Sequence, residues 1–295
     1  MNSRAAAPHY QLSGSTDLAS ELSRIGIAEL RFARAQAEQS AADPDALHQC
    51  RKSIKRLRAL TRLVSASGDA DGNALDRGLG RIGRRLSEAR DAEVLGRIAN
   101  SLHDASGSRA KRRPRLPDAR PDRALVATVV AELETIEPEL GEFLSSTPVA
   151  LVDIERCLGE GLGAAAKRMR RFMQHGRPEE AHDWRKLVQR LHNQLRLVAG
   201  LVPAASVGRL ADLEQLAGHL GDYQDLSVLQ AALATGLIRC KPGVRSKLRR
   251  AAKVRQRELE RTALKLGRRV FRRTETAEAA TPGEVDDPVA IAVAR

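Results

Sequence analysis

Aromatic residues are scarce in this chain: one Trp, two Tyr and four Phe among 295 residues. So thin a supply argues against an aromatic-rich β-sandwich or barrel. No alternating strand pattern of any length is present either. Cysteine is limited to Cys50, Cys157 and Cys240, an odd number without metal-like spacing. A disulfide framework is thereby disfavoured, and reduced, buried thiols of a cytoplasmic protein are expected. No segment approaches the roughly 18–20 apolar residues needed to cross a bilayer. Met1 to Leu12 lacks a charged start followed by an apolar stretch, so no signal peptide is expected. A GxxxxGK[ST] phosphate loop is absent, and no acidic cluster adjoins the basic stripes described below.

What is abundant is positive charge. Fifty Lys and Arg face 37 Asp and Glu, giving a formal net charge of +13 and a pI near 10.4. Of the cations 41 are Arg and 9 are Lys, and the guanidinium fork suits bidentate phosphate contacts. A polyanionic partner is the natural reading of this balance. Hydrophobic residues at 42% are ample for real cores, which excludes wholesale disorder. Ala, Leu and Arg dominate, as in a helical protein.

The chain contains an internal repeat. The run His48-Gln-Cys-Arg-Lys-Ser-Ile-Lys-Arg-Leu-Arg58 reappears as His182-Asp-Trp-Arg-Lys-Leu-Val-Gln-Arg-Leu-His192, 134 residues later. At that offset eight of the 17 positions from His48 to Val64 are identical. Without a gap, the same offset carries Leu86–Leu95, with Asp91 and Val94, onto Leu220–Leu229, with Asp225 and Val228. Two matches in one register point to two related halves.

Each half resolves into helices. In the first, Ser15, Thr16 and Asp17 form an N-cap cluster opening a helix to about Gln39, and Asp43-Pro44 opens another to about Ser67. Further helices are expected over 73–90, 91–105 and 122–145. The second half reads as 150–174, 178–201, 204–223, 225–238 and a basic helix over 244–273. Asp91 and Asp225 are expected to cap the helices they begin. Residues 107–121, with a dense basic run between prolines, read as a linker, and 274–295 as a disordered tail. The resulting domain spans 15–273, divided into halves 15–148 and 149–273.

On the repeated helix the residues sort into faces. At about 100° per residue, His48, Arg51, Lys52, Lys55, Arg58 and Arg62 fall within an arc of about 120°. Leu47, Cys50, Ile54, Leu57, Leu60 and Val64 take the opposite side. In the second copy His182, Arg185, Lys186, Gln189, His192 and Arg196 share one face, opposite Trp184, Val188, Leu191, Leu195 and Val198. Like charges one turn apart, such as Arg51/Lys55 and Arg58/Arg62, disfavour a helix by about 0.2–0.5 kcal/mol per pair. A self-repelling stripe present in two copies makes sense if an external polyanion neutralises it. Trp184 and Phe172 are better placed as core anchors than as stacking platforms. Lys52 and Lys186, one turn from His48 and His182, make metal ligation by those histidines unfavourable.

A helix of the form His-x-x-Arg-Lys-x-x-(Lys/Gln)-Arg-Leu in each half, followed by Asp-x-x-Val-Leu, resembles the CHAD family, the conserved histidine α-helical domain. The resemblance covers about 15–273. It implies an all-α fold of two pseudo-symmetric four-helix bundles, with basic helices facing each other across a central groove or pore. It also implies non-catalytic binding of inorganic polyphosphate, targeting to polyphosphate granules and no cofactor. By position, His48, Arg51, Lys52, Lys55, Arg58 and Arg62 line one wall; His182, Arg185, Lys186, Arg190, His192 and Arg196 line the other. Gln189 stands where the first copy has Lys55, and His192 where it has Arg58, so the second wall is expected to be weaker. The Glu-x-Glu-x-Lys signature of the triphosphate tunnel domain often fused to family members is absent, which implies a stand-alone module. Phosphate-directed duplex DNA binding is the alternative partner, with Lys111 to Arg115 as its contact. Single-stranded nucleic acid is disfavoured by the lack of aromatic platforms.

Overall fold

Three aspartates open helices as their sequence context dictates. The Asp17 carboxylate accepts from the Ser20 N–H at 3.0 Å and opens α1 (Leu18–Gln39). Asp43 accepts from the Asp45 N–H at 2.9 Å ahead of α2 (Pro44–Val64), where Pro44 costs no hydrogen bond in the first turn. Asp122 accepts from the Leu125 N–H at 2.6 Å and opens α4 (Arg123–Ser146). The computed structural model describes residues 7–14, 17–65, 69–105, 122–201, 204–238 and 240–278. The other helices are α3 (Ala70–Ala105), α5 (Leu151–His175), α6 (Pro178–Leu197), α7 (Ala204–Thr235) and α8 (Pro242–Glu278). Among the described residues there is no strand, and no helix is long and apolar enough to cross a membrane.

Two expected helix boundaries are not found. Asp91 lies inside the continuous α3 and Asp225 inside the continuous α7, so neither is an N-cap. No proline intervenes at either point, and a lone Asp within a long helix costs only a few tenths of a kcal/mol, which packing readily offsets. Gly72, between the expected second and third helices, is likewise within α3. The helices α2 and α6 end earlier than expected, at Val64 and Leu197, whereas α8 runs on to Glu278. The basic linker at 107–121, the Ser15-Thr16 pair and the tail beyond Glu278 lie outside the described residues.

The helices close into two rings. Neighbours α1–α2–α3–α4, with α4 returning to α1, form one bundle; α5–α6–α7–α8, with α8 against α5, form the other in the same order. The rings meet chiefly where α2 packs on α6, and α3 adds contacts to α7 and α8. The faces assigned from the sequence hold. Leu47, Cys50, Ile54, Leu57, Leu60 and Val64 of α2, and Trp184, Val188, Leu191, Leu195 and Val198, are all buried. Trp184 packs against Phe172 with ring centroids 6.0 Å apart, and Phe172 meets Tyr223 edge-on at 5.6 Å.

An N-terminal strap ties the bundles together. Tyr10 is buried and its hydroxyl donates to the Arg56 carbonyl at 2.9 Å. Two residues on, the Leu12 N–H donates to the Leu197 carbonyl at 2.7 Å. The strap runs so close to Gly200 that a Cβ there would lie 2.4 Å from the Leu12 carbonyl oxygen, so only glycine fits. The strap precedes the first helix and, being a short irregular segment, carries no periodicity in the sequence.

Candidate functional site

α2 and α6 touch directly at the seam between the bundles. Gln194 Nε2 donates to the Ala59 carbonyl at 3.3 Å, and the Cys157 thiol of α5 reaches the Arg62 carbonyl at 3.6 Å. The charged residues that interact across the seam run in opposite order along the two helices. Lys52 and Arg56 are within electrostatic reach of Arg196 and His192, whereas Arg58 and Arg62 are within reach of Arg190. The helices are therefore antiparallel, and each cationic cluster is composite, with residues from both bundles. The 134-residue register maps Arg56, Arg58 and Arg62 onto Arg190, His192 and Arg196. The repeat register therefore carries the arginines of each cluster onto basic residues of the other, but not Asp76, which it carries onto Leu210.

In the first cluster Arg56 is a buried structural cation. Its guanidinium pairs with the fully buried Glu29 of α1 at 2.8 Å and lies 5.5 Å from the centre of the Tyr10 ring. Above it, Lys52 and Arg196 are exposed. Desolvation, then the charges of Arg56 and Arg196, hold the Lys52 ammonium below the usual lysine range. Desolvation likewise holds His192 below the usual imidazole value. Glu214 of α7 opposes that shift, and Arg196, Arg56 and Lys52 reinforce it.

The second cluster is built on Asp76 of α3, a buried carboxylate. Arg58 grips it with two hydrogen bonds, Nε at 2.9 Å and Nη2 at 3.1 Å, and Arg62 Nη2 adds a third at 2.7 Å. Burial opposes ionisation of Asp76, but the Arg58 and Arg62 hydrogen bonds outweigh it and place the carboxyl below its ordinary range. Gly80 lets Arg58 lie close to the α3 backbone, where a Cβ would sit 3.3 Å from its Cζ. Arg190 is desolvated beside them, and burial, followed by the Arg62 charge, disfavours its cationic form. Arg62 and Arg190 also line a cavity of about 340 Å³ between the bundles, alongside Glu160, Cys157 and Gln194.

The remaining expected residues occupy the outer parts of these helices. His48, Arg51 and Lys55 are half-buried on α2; His182 and Arg185 are half-buried and Lys186 exposed on α6. Because the helices are antiparallel, His48 and His182 lie toward opposite ends of the contact. The His182 Nδ1 is buried without a hydrogen-bond partner. Burial, then Lys186 and Arg185, lower its pKa, and Asp183 opposes them. Lys186 Nζ is 3.3 Å from Asp183. Asp76, Glu29, Arg56 and Tyr10 are the members that residue patterns did not reveal. A buried polar or charged residue at a core-facing helix position was the available signal for Glu29 and Asp76.

All seven aromatic side chains are buried: Tyr10, Phe32, Phe143, Phe172, Trp184, Tyr223 and Phe271. The basic surface therefore offers cations without a stacking platform.

The sequence profile of the CHAD domain matches residues 26–234, and the chain belongs to that family. The fold agrees with the crystal structure of the CHAD domain from the plant Ricinus communis. That structure superposes with a TM-score of 0.59 over 91% of this chain and 96% of the other, at 21% identity. No curated protein matches the sequence.

Proposed function

We propose that the chain binds inorganic polyphosphate without catalysing its turnover, through the two composite clusters at the α2/α6 seam. The observation that carries this reading is the crowding of cations there: Arg190 and His192 are pushed toward their neutral forms by burial and by neighbouring arginines, and the exposed Lys52 lies within electrostatic reach of Arg56 and Arg196. An arriving polyanion relieves that repulsion, gains charge-assisted hydrogen bonds and releases counterions. The carboxylates at the seam leave a surplus of positive charge, since one Asp76 serves both Arg58 and Arg62.

Burial of every aromatic ring favours a ligand without bases. Single-stranded nucleic acid binders gain about 1–3 kcal/mol per stacked base from exposed aromatics, and such rings are absent from this surface. His48, Arg51, Lys52, Lys55, Arg58 and Arg62 would act with His182, Arg185, Lys186, Arg190, His192 and Arg196 as the binding set. Association with polyphosphate granules in the cytoplasm follows from such binding. The test is Lys52→Gln with Arg190→Gln and Arg196→Gln, assayed by titration with long-chain polyphosphate at near-physiological salt. A loss of at least about tenfold supports the reading, since each phosphate contact removed lowers affinity. Unchanged affinity in a folded variant refutes it.

A further inference from the structure

We infer that α8 carries a second polyanion track, so that one molecule bridges two phosphate chains or two segments of one chain. The inference rests on the polyphosphate reading above. From Pro242 to Arg257 this helix has seven cations and no carboxylate. Leu248, Ala252 and Leu259 bury its inner side, while Arg249, Arg250, Lys253 and Arg257 are exposed. With Arg245 these four line an open groove of about 520 Å³ along the helix.

Arg245, Arg249, Lys253 and Arg257 recur every fourth residue, a span of about 18 Å along the axis. Like charges at this spacing repel one another along a helix. Two other cations of α8 find acids: Arg255, on a different side of the same stretch, pairs with Glu258 at 3.1 Å, and Arg269 pairs with Asp212. Among the described residues no carboxylate pairs with Arg249, Arg250, Lys253 or Arg257, and none lines the groove. The Arg245 Nε is buried with no hydrogen-bond partner, as a donor awaiting an acceptor would be. No aromatic side chain lines the groove, so the occupant it fits is a linear anion recognised by charge and oxygen acceptors alone.

The track is distinct from the seam. In the ring α5–α6–α7–α8, α8 lies diagonally across from α6, with α5 and α7 between them. A phosphate chain held between α2 and α6 leaves the α8 groove open for another. Two separated sites on one body cross-link a long polymer, and the second contact gains effective concentration from the first.

The experiment compares the full chain with its Arg249→Gln, Lys253→Gln, Arg257→Gln triple variant, whose helicity is checked by circular dichroism. Calorimetric titration with short-chain polyphosphate is expected to give two chains per wild-type molecule and one per variant. Light scattering with long-chain polyphosphate is expected to fall at least about fivefold in the variant, because bridging needs both sites. A variant that keeps both the stoichiometry and the scattering overturns the inference while leaving the seam reading intact. Wild-type protein that binds no polyphosphate overturns the seam reading and this inference together. If the triple variant loses binding to duplex DNA of matched charge but keeps both short chains of polyphosphate, the occupant assigned to α8 is wrong.

Discussion

The carboxylate of Asp76 on α3 holds the guanidinium of Arg58 on α2 with both oxygens, at 2.9 and 3.1 Å. A basic face that looks unneutralised along its own helix is therefore partly neutralised from the next one. The pairing fixes Arg58 beside Arg62 and Arg190 and keeps part of its charge from a ligand. At the 134-residue offset Asp76 corresponds to Leu210, so Arg196 lacks such a partner at that register.

Asp76→Asn is expected to tighten polyphosphate binding, because the Arg58 and Arg62 charges are released to the ligand. The same change weakens three hydrogen bonds to a buried group. With both arginines partly exposed, the stability loss is on the order of 1–3 kcal/mol. Denaturant unfolding and a binding titration on the same sample check both signs. Weaker binding by a folded variant would show that Asp76 aligns the arginines more than it screens them.

Glu29 and Arg56 form the buried counterpart. Glu29→Gln leaves the Arg56 guanidinium without its counter-charge in a desolvated site, at a cost of about 3–5 kcal/mol. Arg56→Met leaves the Glu29 carboxylate in turn without its counter-charge and should cost a similar amount, whereas Glu29→Gln combined with Arg56→Met, which buries neither charge, should recover part of the loss. Chemical denaturation of the three variants tests this, and fully additive losses in the double variant are the contrary result.

Tyr10→Phe removes one hydroxyl bond to the Arg56 carbonyl and should cost about 1 kcal/mol, whereas Tyr10→Ala also opens a cavity and should cost about 3–5 kcal/mol. Both are measurable by chemical denaturation. Equal, negligible effects would mean that the strap does not hold the bundles together.

His192 supplies the pH dependence. Desolvation lowers its pKa; Glu214 opposes, and Arg196, Arg56 and Lys52 add to the lowering. The unfolded chain takes a proton near pH 6.5, so below about that value it binds more protons than the fold and the free protein loses stability. A bound polyanion reverses the preference and favours the imidazolium. Binding should therefore take up protons and strengthen as pH falls from about 7.5 to about 6. Calorimetry in buffers of different ionisation enthalpy measures the uptake, which His192→Gln should reduce. Affinity independent of pH counts against the participation of His192.

The two halves also differ. Gln189 replaces Lys55 and His192 replaces Arg58, so substituting His48, Arg51, Lys52 and Lys55 together should weaken binding more than substituting His182, Arg185, Lys186 and Gln189. Equal or reversed losses in folded variants refute that ranking.

Much of this is legible in the sequence alone. Periodicity placed Leu57 and Trp184 inward and Lys52 and Arg196 outward, because each helix exposes one face and buries the other. Asp17, Asp43 and Asp122 announced their helices through capping chemistry that acts within one turn. Asp91 and Asp225 looked the same locally but sit inside long helices, where tertiary packing overrides a weak propensity. Residue patterns did not show which cations share a cluster, although the family resemblance implied two facing basic walls. Nothing along α2 tells that Arg62 will meet Arg190, or that Asp76 will answer Arg58, since those meetings depend on how the bundles dock. Tyr10 and Leu12 escaped for a related reason: an irregular strap has no repeat to read.

The most direct test of the account is a competition titration at near-physiological salt, with long-chain polyphosphate set against duplex DNA and RNA of matched charge. The account predicts that polyphosphate wins by about tenfold or more, because its closely spaced, base-free phosphates match the cations crowded at the seam better than a duplex backbone does. Equal competition by DNA would contradict it and make the basic surface a general adhesive for phosphate backbones.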